Sequence, residues 1–246
     1  MEDNQKQDKT QTITAIVLAA GRGSRMQSEI PKQYLKLGEY PVLYYSLQAF
    51  EKHPGIREII LVAAADDLTY VREEFAEKYH FKKIRKIIPG GKERYDSVEA
   101  GLNAAETEYV MIHDGARPCI DREILNRCIE DLLQFGANAA AVPVKDTIKM
   151  IDTDGFSTST PDRTTLWQIQ TPQCFRRELL KKAYETFHRE RKQDKSAKIT
   201  DDAQLVELYG DGTRVKMTLG SYSNIKVTTP EDLTVALALL EAKTEK

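Results

Sequence analysis

Cysteine is scarce in this 246-residue chain: Cys119, Cys128 and Cys174 are odd in number and show no CxxC spacing. That pattern excludes a disulfide framework and offers no zinc site; it reads as reduced thiols in a cytoplasmic protein. Histidine is also rare. None of the four stands in a Ser/His/Asp or HExxH arrangement, so hydrolytic triads and zinc chemistry have no support. Long apolar runs are missing, which excludes a bilayer-spanning helix. The opening "MEDNQKQDKTQT" lacks the apolar stretch of a signal peptide and is expected to be a disordered tail, residues 1–12. The rest, 13–246, is long enough for one substantial core and is read as a single domain. Excess charge of either sign is absent too. A formal net charge of −2 argues against a nucleic-acid coat or a membrane-surface protein.

What the chain does have is rhythm. "ITAIVL" (13–18) is an apolar, β-branched run ending near glycine, as buried parallel strands do. A helix is expected to open at Pro41, with Leu43, Leu47 and Phe50 on one face. Strands are expected at 57–64, 84–88, 108–114 and 139–144, with helical stretches at 66–79 and 121–135 between them. This alternation implies an α/β fold: a mostly parallel, doubly wound, Rossmann-like sheet with helices on both faces. Ligands in such sheets bind beyond the carboxyl ends of the strands. Four loops, "AAGRGSR", "GGKERYDS", "HDGARP" and "PVKDTIK", all follow strands, so one sheet edge should gather them. The rhythm breaks across 145–173, which has β-type residues and a "TDG" turn but no helical stripe. We read it as a protruding β-arm needing a second surface to cover it, which suggests a partner subunit. The last helix is expected at "TTPEDL", with Thr229 as cap.

The first loop sets Arg22, Arg25 and Lys32 around Gly21 and Gly23. Met26 stands where a dinucleotide fingerprint needs its third glycine, and no Walker A sequence is present. The physics is nonetheless that of phosphate binding: glycines let backbone N–H groups approach, Arg25 can grip oxygens bidentately, and Lys32 adds a compact charge. A solvated surface loop with ordinary cations is the competing reading. In "GGKERYDSV", Asp96 or Ser97 can cap a helix, while the glycines permit close approach to a flat base. Asp114 ends a strand where a carboxylate could orient a hydroxyl or help a metal held by phosphates; His113 reads as a packed histidine. Thr147, Arg163, Thr200 and Lys226 are each unremarkable alone: threonine in β-rich segments is usually structural, and Arg163 can pair with a surface acid.

Taken in order, these segments resemble one family, the 2-C-methyl-D-erythritol 4-phosphate cytidylyltransferases of the non-mevalonate isoprenoid pathway. Its AAGxGxRM…PKQ, GGxER..S, HD.ARP, P..DT.K, DR..LW..QTPQ, TDDA and NIK.T segments all have counterparts between Ala19 and Thr228. The first loop alone would indicate only the wider sugar-nucleotidyltransferase superfamily. The resemblance implies a CTP-dependent transfer to a sugar-alcohol phosphate, with Mg²⁺ held mainly by the triphosphate. It further implies that Arg25 and Lys32 stabilise charge at the attacked phosphorus. Arg163 and Lys226 would grip and aim the sugar phosphate, in a pocket lined by Asp114, Thr147 and Thr200. Cytosine would be read by backbone at Ala19, Ala20, Gly91 and Lys92 and by the side chain of Ser97, with Gly21 and Gly23 on the phosphates. Lys92 stands where the family carries an acidic or small residue, a change that leaves a backbone contact intact. The family is dimeric, and its arm carries its threonine and arginine into the neighbouring protomer's site, which implies a homodimer here. A ribitol 5-phosphate cytidylyltransferase is the nearest rival, but it tends towards AGGxGSRM and HDAVRP where this chain reads AAGRGSRM and HDGARP. A silent nucleotide-binding module would have no need of all four cations, and a nicotinamide dehydrogenase would need the missing glycine.

Overall fold

Apolar alternation builds the middle of the molecule. The computed structural model describes residues 13–22, 26, 28, 30–191 and 199–244. The expected tail (1–12), Gly23 and Arg25 lie outside them. Strand β1 (Ile13–Ala19) turns Ile13, Ala15, Val17 and Ala19 to one core and Ile16 to another, the period of two that a strand dictates. A 3₁₀ turn (Lys32–Tyr34) and the ribbon of β2 (Lys36–Leu37) and β3 (Tyr40–Pro41) lead into α1 (Val42–Lys52). Pro41 is thus the cap of α1 and the end of β3, one place earlier than the first-turn position expected for it. After β4 (Glu58–Ala63), the stretch read as one helix divides into a 3₁₀ turn (Ala65–Asp67), α2 (Leu68–Val71) and a π-helical segment (Arg72–Lys78).

Regular alternation resumes with β5 (Ile84–Pro89), α3 (Arg94–Ala104), β6 (Tyr109–Asp114), α4 (Arg122–Phe135) and β7 (Ala137–Pro143). Helix α4 shows why such segments form where they do. Asp121 caps it by accepting from the Ile124 N–H at 3.0 Å, and Ile124, Leu125, Cys128, Ile129 and Leu132 form its buried stripe. It ends at Gly136, whose φ of 77° would strain any residue with a Cβ. Beyond β7 come the hairpin β8 (Met150–Ile151) and β9 (Ser157–Ser159), then β10 (Trp167–Arg176), α5 (Arg177–Arg191), α6 (Asp202–Tyr209), β11 (Lys216–Leu219) and α7 (Pro230–Thr244).

The seven-stranded sheet has the order β11-β7-β10-β6-β1-β4-β5, parallel except where β10 pairs antiparallel with β6 and β7. Helices α1 and α4 cover one face through Leu43, Leu47, Phe50 and the α4 stripe. On the other, α3, α5 and α6 present Val98, Leu102, Phe187 and Leu205. From β1 the chain moves outward through β4 and β5, then returns to lay β6 on the opposite side of β1. The crevice at the carboxyl ends of β1 and β6 is therefore the topological switch point.

The segment 145–173 is only partly an arm. The hairpin β8/β9 projects with Ile151 65% and Phe156 72% exposed, but 167–173 belong to β10 inside the sheet. The whole run lacks a helical stripe, which is why it reads as one arm. Buried Gln170 and Gln173 are instead satisfied by hydrogen bonds, from Gln170 Nε2 to the Ser221 carbonyl at 2.8 Å and from the Ala203 N–H to Gln173 Oε1 at 2.9 Å.

Candidate active site

A cleft of about 320 Å³ opens at the β1/β6 switch point. Three loops that follow strands form it. Ala19, Ala20 and Gly21 come from the end of β1, Gly91 and Lys92 from the turn after β5 with Ser97 in the first turn of α3, and Asp114 from the end of β6. Lys32 and Lys226 complete its cationic side. The structure thus gathers nine of the expected site residues around one space.

Each is held for a physical reason. Gly90 must lack a side chain: a Cβ there would stand 2.6 Å from that of Ala20 and 2.7 Å from Ser97 Oγ. The Gly91 N–H donates to Ser97 Oγ at 3.1 Å, which fixes the turn. Helix α3 is capped by Glu93, not by Asp96 or Ser97. Glu93 and Asp96 form a reciprocal capping box, because Asp96 sits three residues into the helix, within reach of the Glu93 N–H at 3.0 Å. At the far end of the chain Asp232 similarly reaches back to the Thr228 and Thr229 N–H groups, at 2.7 and 2.9 Å, where Thr229 was expected to cap.

The cations converge through backbone. Lys32 Nζ donates to the Val227 carbonyl at 2.8 Å, and the Val227 N–H donates to the Ala116 carbonyl at 2.8 Å. Lys32 is thereby tied to the residue beside Lys226, just past β6. Gln33, next to Lys32, donates from Nε2 to the Ala19 carbonyl at 2.7 Å and clamps the 3₁₀ turn to β1.

Asp114 is the anionic centre. Its Oδ2 lies 2.6 Å from Lys226 Nζ and its Oδ1 accepts from Arg94 Nε at 3.3 Å. Burial works against the carboxylate's charge, but Arg94 and then Lys226 outweigh it and hold the group well below the usual carboxylate range. Arg94 also donates from Nη2 to Asp202 Oδ2 at 2.9 Å. Asp202, buried beside that guanidinium, is pushed up by burial in spite of it. His113 is a packed histidine, as read: fully buried, 3.0 Å from Thr171 Oγ1 and edge-on to Phe50, with burial lowering it to about 3.

Three expected residues stand apart from the cleft within one chain. Thr147 is exposed beyond β7. Arg163 donates from Nη1 to the Lys145 carbonyl at 2.8 Å, at the root of the hairpin. Thr200 turns its N–H and hydroxyl to Gln204 Oε1, at 2.8 and 3.1 Å. Arg94 and Asp202 were not anticipated. The signal was present: Arg94 is the first residue of α3, where the positive end of a helix disfavours a cation unless carboxylates surround it.

A glycine-flanked loop, two lysines and an ionised aspartate around one space can bind a polyphosphate and a second phosphorylated ligand together. Among the described residues no group of three or more His, Cys, Asp or Glu side chains could cage a metal ion. Among the described residues, too, no helix is long and apolar enough to cross a membrane.

Comparison with known proteins points the same way. A family model described as "2-C-methyl-D-erythritol 4-phosphate cytidylyltransferase" matches residues 13–242. A Lachnospira eligens protein of that name is 54% identical over 224 residues, covering 91% of this chain and 96% of its own length. One from Alkaliphilus metalliredigens is 46% identical and covers 94% of each chain. The crystal structure of 4-diphosphocytidyl-2C-methyl-D-erythritol synthase from Anaerococcus prevotii superposes with a TM-score of 0.82 at 36% identity, covering 96% of this chain and 99% of that one.

Proposed function

The chain belongs to the 2-C-methyl-D-erythritol 4-phosphate cytidylyltransferase family, and from that premise we propose which of its residues carry the reaction. It is a nucleotidyltransferase that joins CTP to 2-C-methyl-D-erythritol 4-phosphate, giving CDP-methylerythritol and pyrophosphate on the non-mevalonate route to isoprenoid precursors. An oxygen of the sugar phosphate attacks the α-phosphorus of CTP. The bond from that phosphorus to the bridging oxygen breaks, and pyrophosphate leaves with the electron pair.

The attacking oxygen needs no general base, since the second pKa of such a phosphate is about 6. The obstacle is the approach of one anion to another, so fixed positive charge and positioning are the catalysis. Lys32, together with Arg25, stabilises charge at the α-phosphorus. Lys226, together with Arg163, holds and aims the sugar phosphate. Ala19, Ala20, Gly21 and Gly23 offer backbone to the nucleotide, while Gly91, Lys92 and Ser97 flank the cytosine. Asp114, Thr147 and Thr200 serve the sugar side.

The observation that carries this reading is the meeting of Lys32 and Lys226 across Val227 in the switch-point cleft. Both oxygens of Asp114 already face cations, so Mg²⁺ fits here as an ion held by triphosphate oxygens and water, without a protein cage. When bound, it neutralises part of the nucleotide's charge.

The assembly is a homodimer in which the hairpin of one protomer brings Thr147 and Arg163 to the cleft of the other. Support comes from the exposed Met150, Ile151 and Phe156, an apolar surface that a partner would cover. The three buried, unpaired cysteines suit a reducing cytoplasm. The test is pyrophosphate release from each nucleoside triphosphate, with methylerythritol phosphate and then ribitol 5-phosphate as acceptor. Release is expected with CTP and methylerythritol phosphate. A preference for UTP, GTP or ribitol 5-phosphate would refute the assignment.

A further inference from the structure

The cleft contains a charge ladder longer than the reaction as assigned requires. Asp202, Arg94, Asp114 and Lys226 alternate in sign, linked at 2.9, 3.3 and 2.6 Å. Its members come from α6, α3, β6 and the segment before α7, four separate parts of the chain. The ladder is anchored at one end: the Asp202 side chain is 1% exposed, against 38% for Lys226.

The anchor is built in. Asp202 is the first residue of α6, and the adjoining Asp201 caps that helix by accepting from the Gln204 N–H at 2.8 Å. Gln173 of β10 grips both neighbours, donating to Asp201 Oδ2 at 3.2 Å and accepting from the Ala203 N–H at 2.9 Å. Asp202 therefore cannot follow Arg94; Arg94 must follow Asp202. A planar guanidinium with donors in a fixed fork then transmits that position to Asp114, as a single ammonium could not.

We propose that Arg94 is a positioning residue: by tying Asp114 to the buried anchor Asp202, it fixes the ammonium of Lys226 where the sugar phosphate must be held. This rests on the assignment of Lys226 to the sugar phosphate above. Arg94 would act without touching the reacting atoms. Loss of the fork would let the Asp114–Lys226 pair drift, and misplacement of about 1 Å is enough to cost on the order of 10²-fold in rate.

A double-mutant cycle tests it in the full-length enzyme, with pyrophosphate release as the assay. Arg94→Gln is expected to lower kcat/KM for the sugar phosphate on the order of 10²-fold, while KM for CTP changes less than about threefold. In a Lys226→Ala background the same substitution should cost less than about threefold more, because its route of action is already gone. Equal losses in both backgrounds would overturn the proposal, since a merely structural role is additive. Arg94→Lys should fail to rescue; near-normal turnover in that variant would also overturn it.

Arg94→Gln leaves Asp202 buried without a partner, and that can unfold the protein. The Arg94→Gln/Asp202→Asn double variant removes both charges and leaves two neutral amides in their place. It should melt near the wild type and still show the full loss for the sugar phosphate; a folded double variant with full activity would count against us. If instead the wild type itself releases no pyrophosphate from CTP and methylerythritol phosphate, the failure lies with the assigned function and not with Arg94.

Discussion

Lys226 Nζ and Asp114 Oδ2 stand 2.6 Å apart, joining the segment before α7 to the last residue of β6. The lysine assigned to the sugar phosphate is thus oriented before any phosphate arrives. Asp114→Asn keeps the shape and removes the counter-charge, and Arg94 retains Asp202 as a partner. We expect kcat/KM for the sugar phosphate to fall on the order of 10²-fold, with CTP affinity little changed. Steady-state kinetics with each substrate varied in turn checks this; an equal rise in both KM values would assign Asp114 to the nucleotide.

Lys32, to which we assign the α-phosphorus, lines the cleft with its ammonium donating to the Val227 carbonyl. Lys32→Ala should lower kcat by about 10²–10³, the scale of losing one strong stabiliser of developing charge. Circular dichroism should be unchanged, because the Lys32–Tyr34 turn is also fastened by Gln33 to Ala19. A folded variant with normal turnover would remove Lys32 from the mechanism.

Much of this architecture is legible in the sequence because strands buried on both faces have no polar positions to blur them. Runs such as "ITAIVL" and "IILVAA" read directly as β1 and β4. The glycine loops were legible for a related reason: Gly90 and Gly91 answer a steric demand that no other residue meets. Harder to see was β10, whose "QIQTPQ" looks like an exposed arm until Ser221, Asn224 and Ala203 supply partners for its glutamines. The Arg94–Asp202 link escaped for the same reason. A long-range ion pair leaves no periodicity, and its two ends lie in motifs that each have a local explanation.

The state of His113 makes a pH prediction. Burial lowers it to about 3, although Asp114 pulls the other way. The neutral ring accepts at Nδ1 from the Thr171 hydroxyl, 3.0 Å away, and turns Nε2–H to the Arg117 carbonyl at 3.4 Å. An unfolded chain takes up this proton near pH 6.5, the folded one only near 3. Its contribution to stability is therefore complete above pH 6.5 and is lost as pH falls from there towards 3, at up to about 1.4 kcal/mol per pH unit. Urea unfolding at several pH values measures the slope. Nuclear magnetic resonance should show no His113 titration between about pH 5 and 8, and an ordinary midpoint there would contradict the buried neutral ring.

Arg163 supplies the sharpest test of the assembly. In one chain its guanidinium rests on the Lys145 carbonyl at the root of the hairpin, away from Lys32 and Lys226. If the hairpin serves the neighbouring cleft, Arg163→Ala should weaken the sugar phosphate and leave CTP affinity alone. An equal mixture of Arg163→Ala and Lys32→Ala protomers, denatured and refolded together, should form mixed dimers as half of its population. Each mixed dimer then has one doubly damaged site and one intact site, so activity should return to about a quarter of the wild type. A mixture that stays as inactive as its two parents would mean that each cleft works with its own Arg163, and the exposed hairpin would need another purpose.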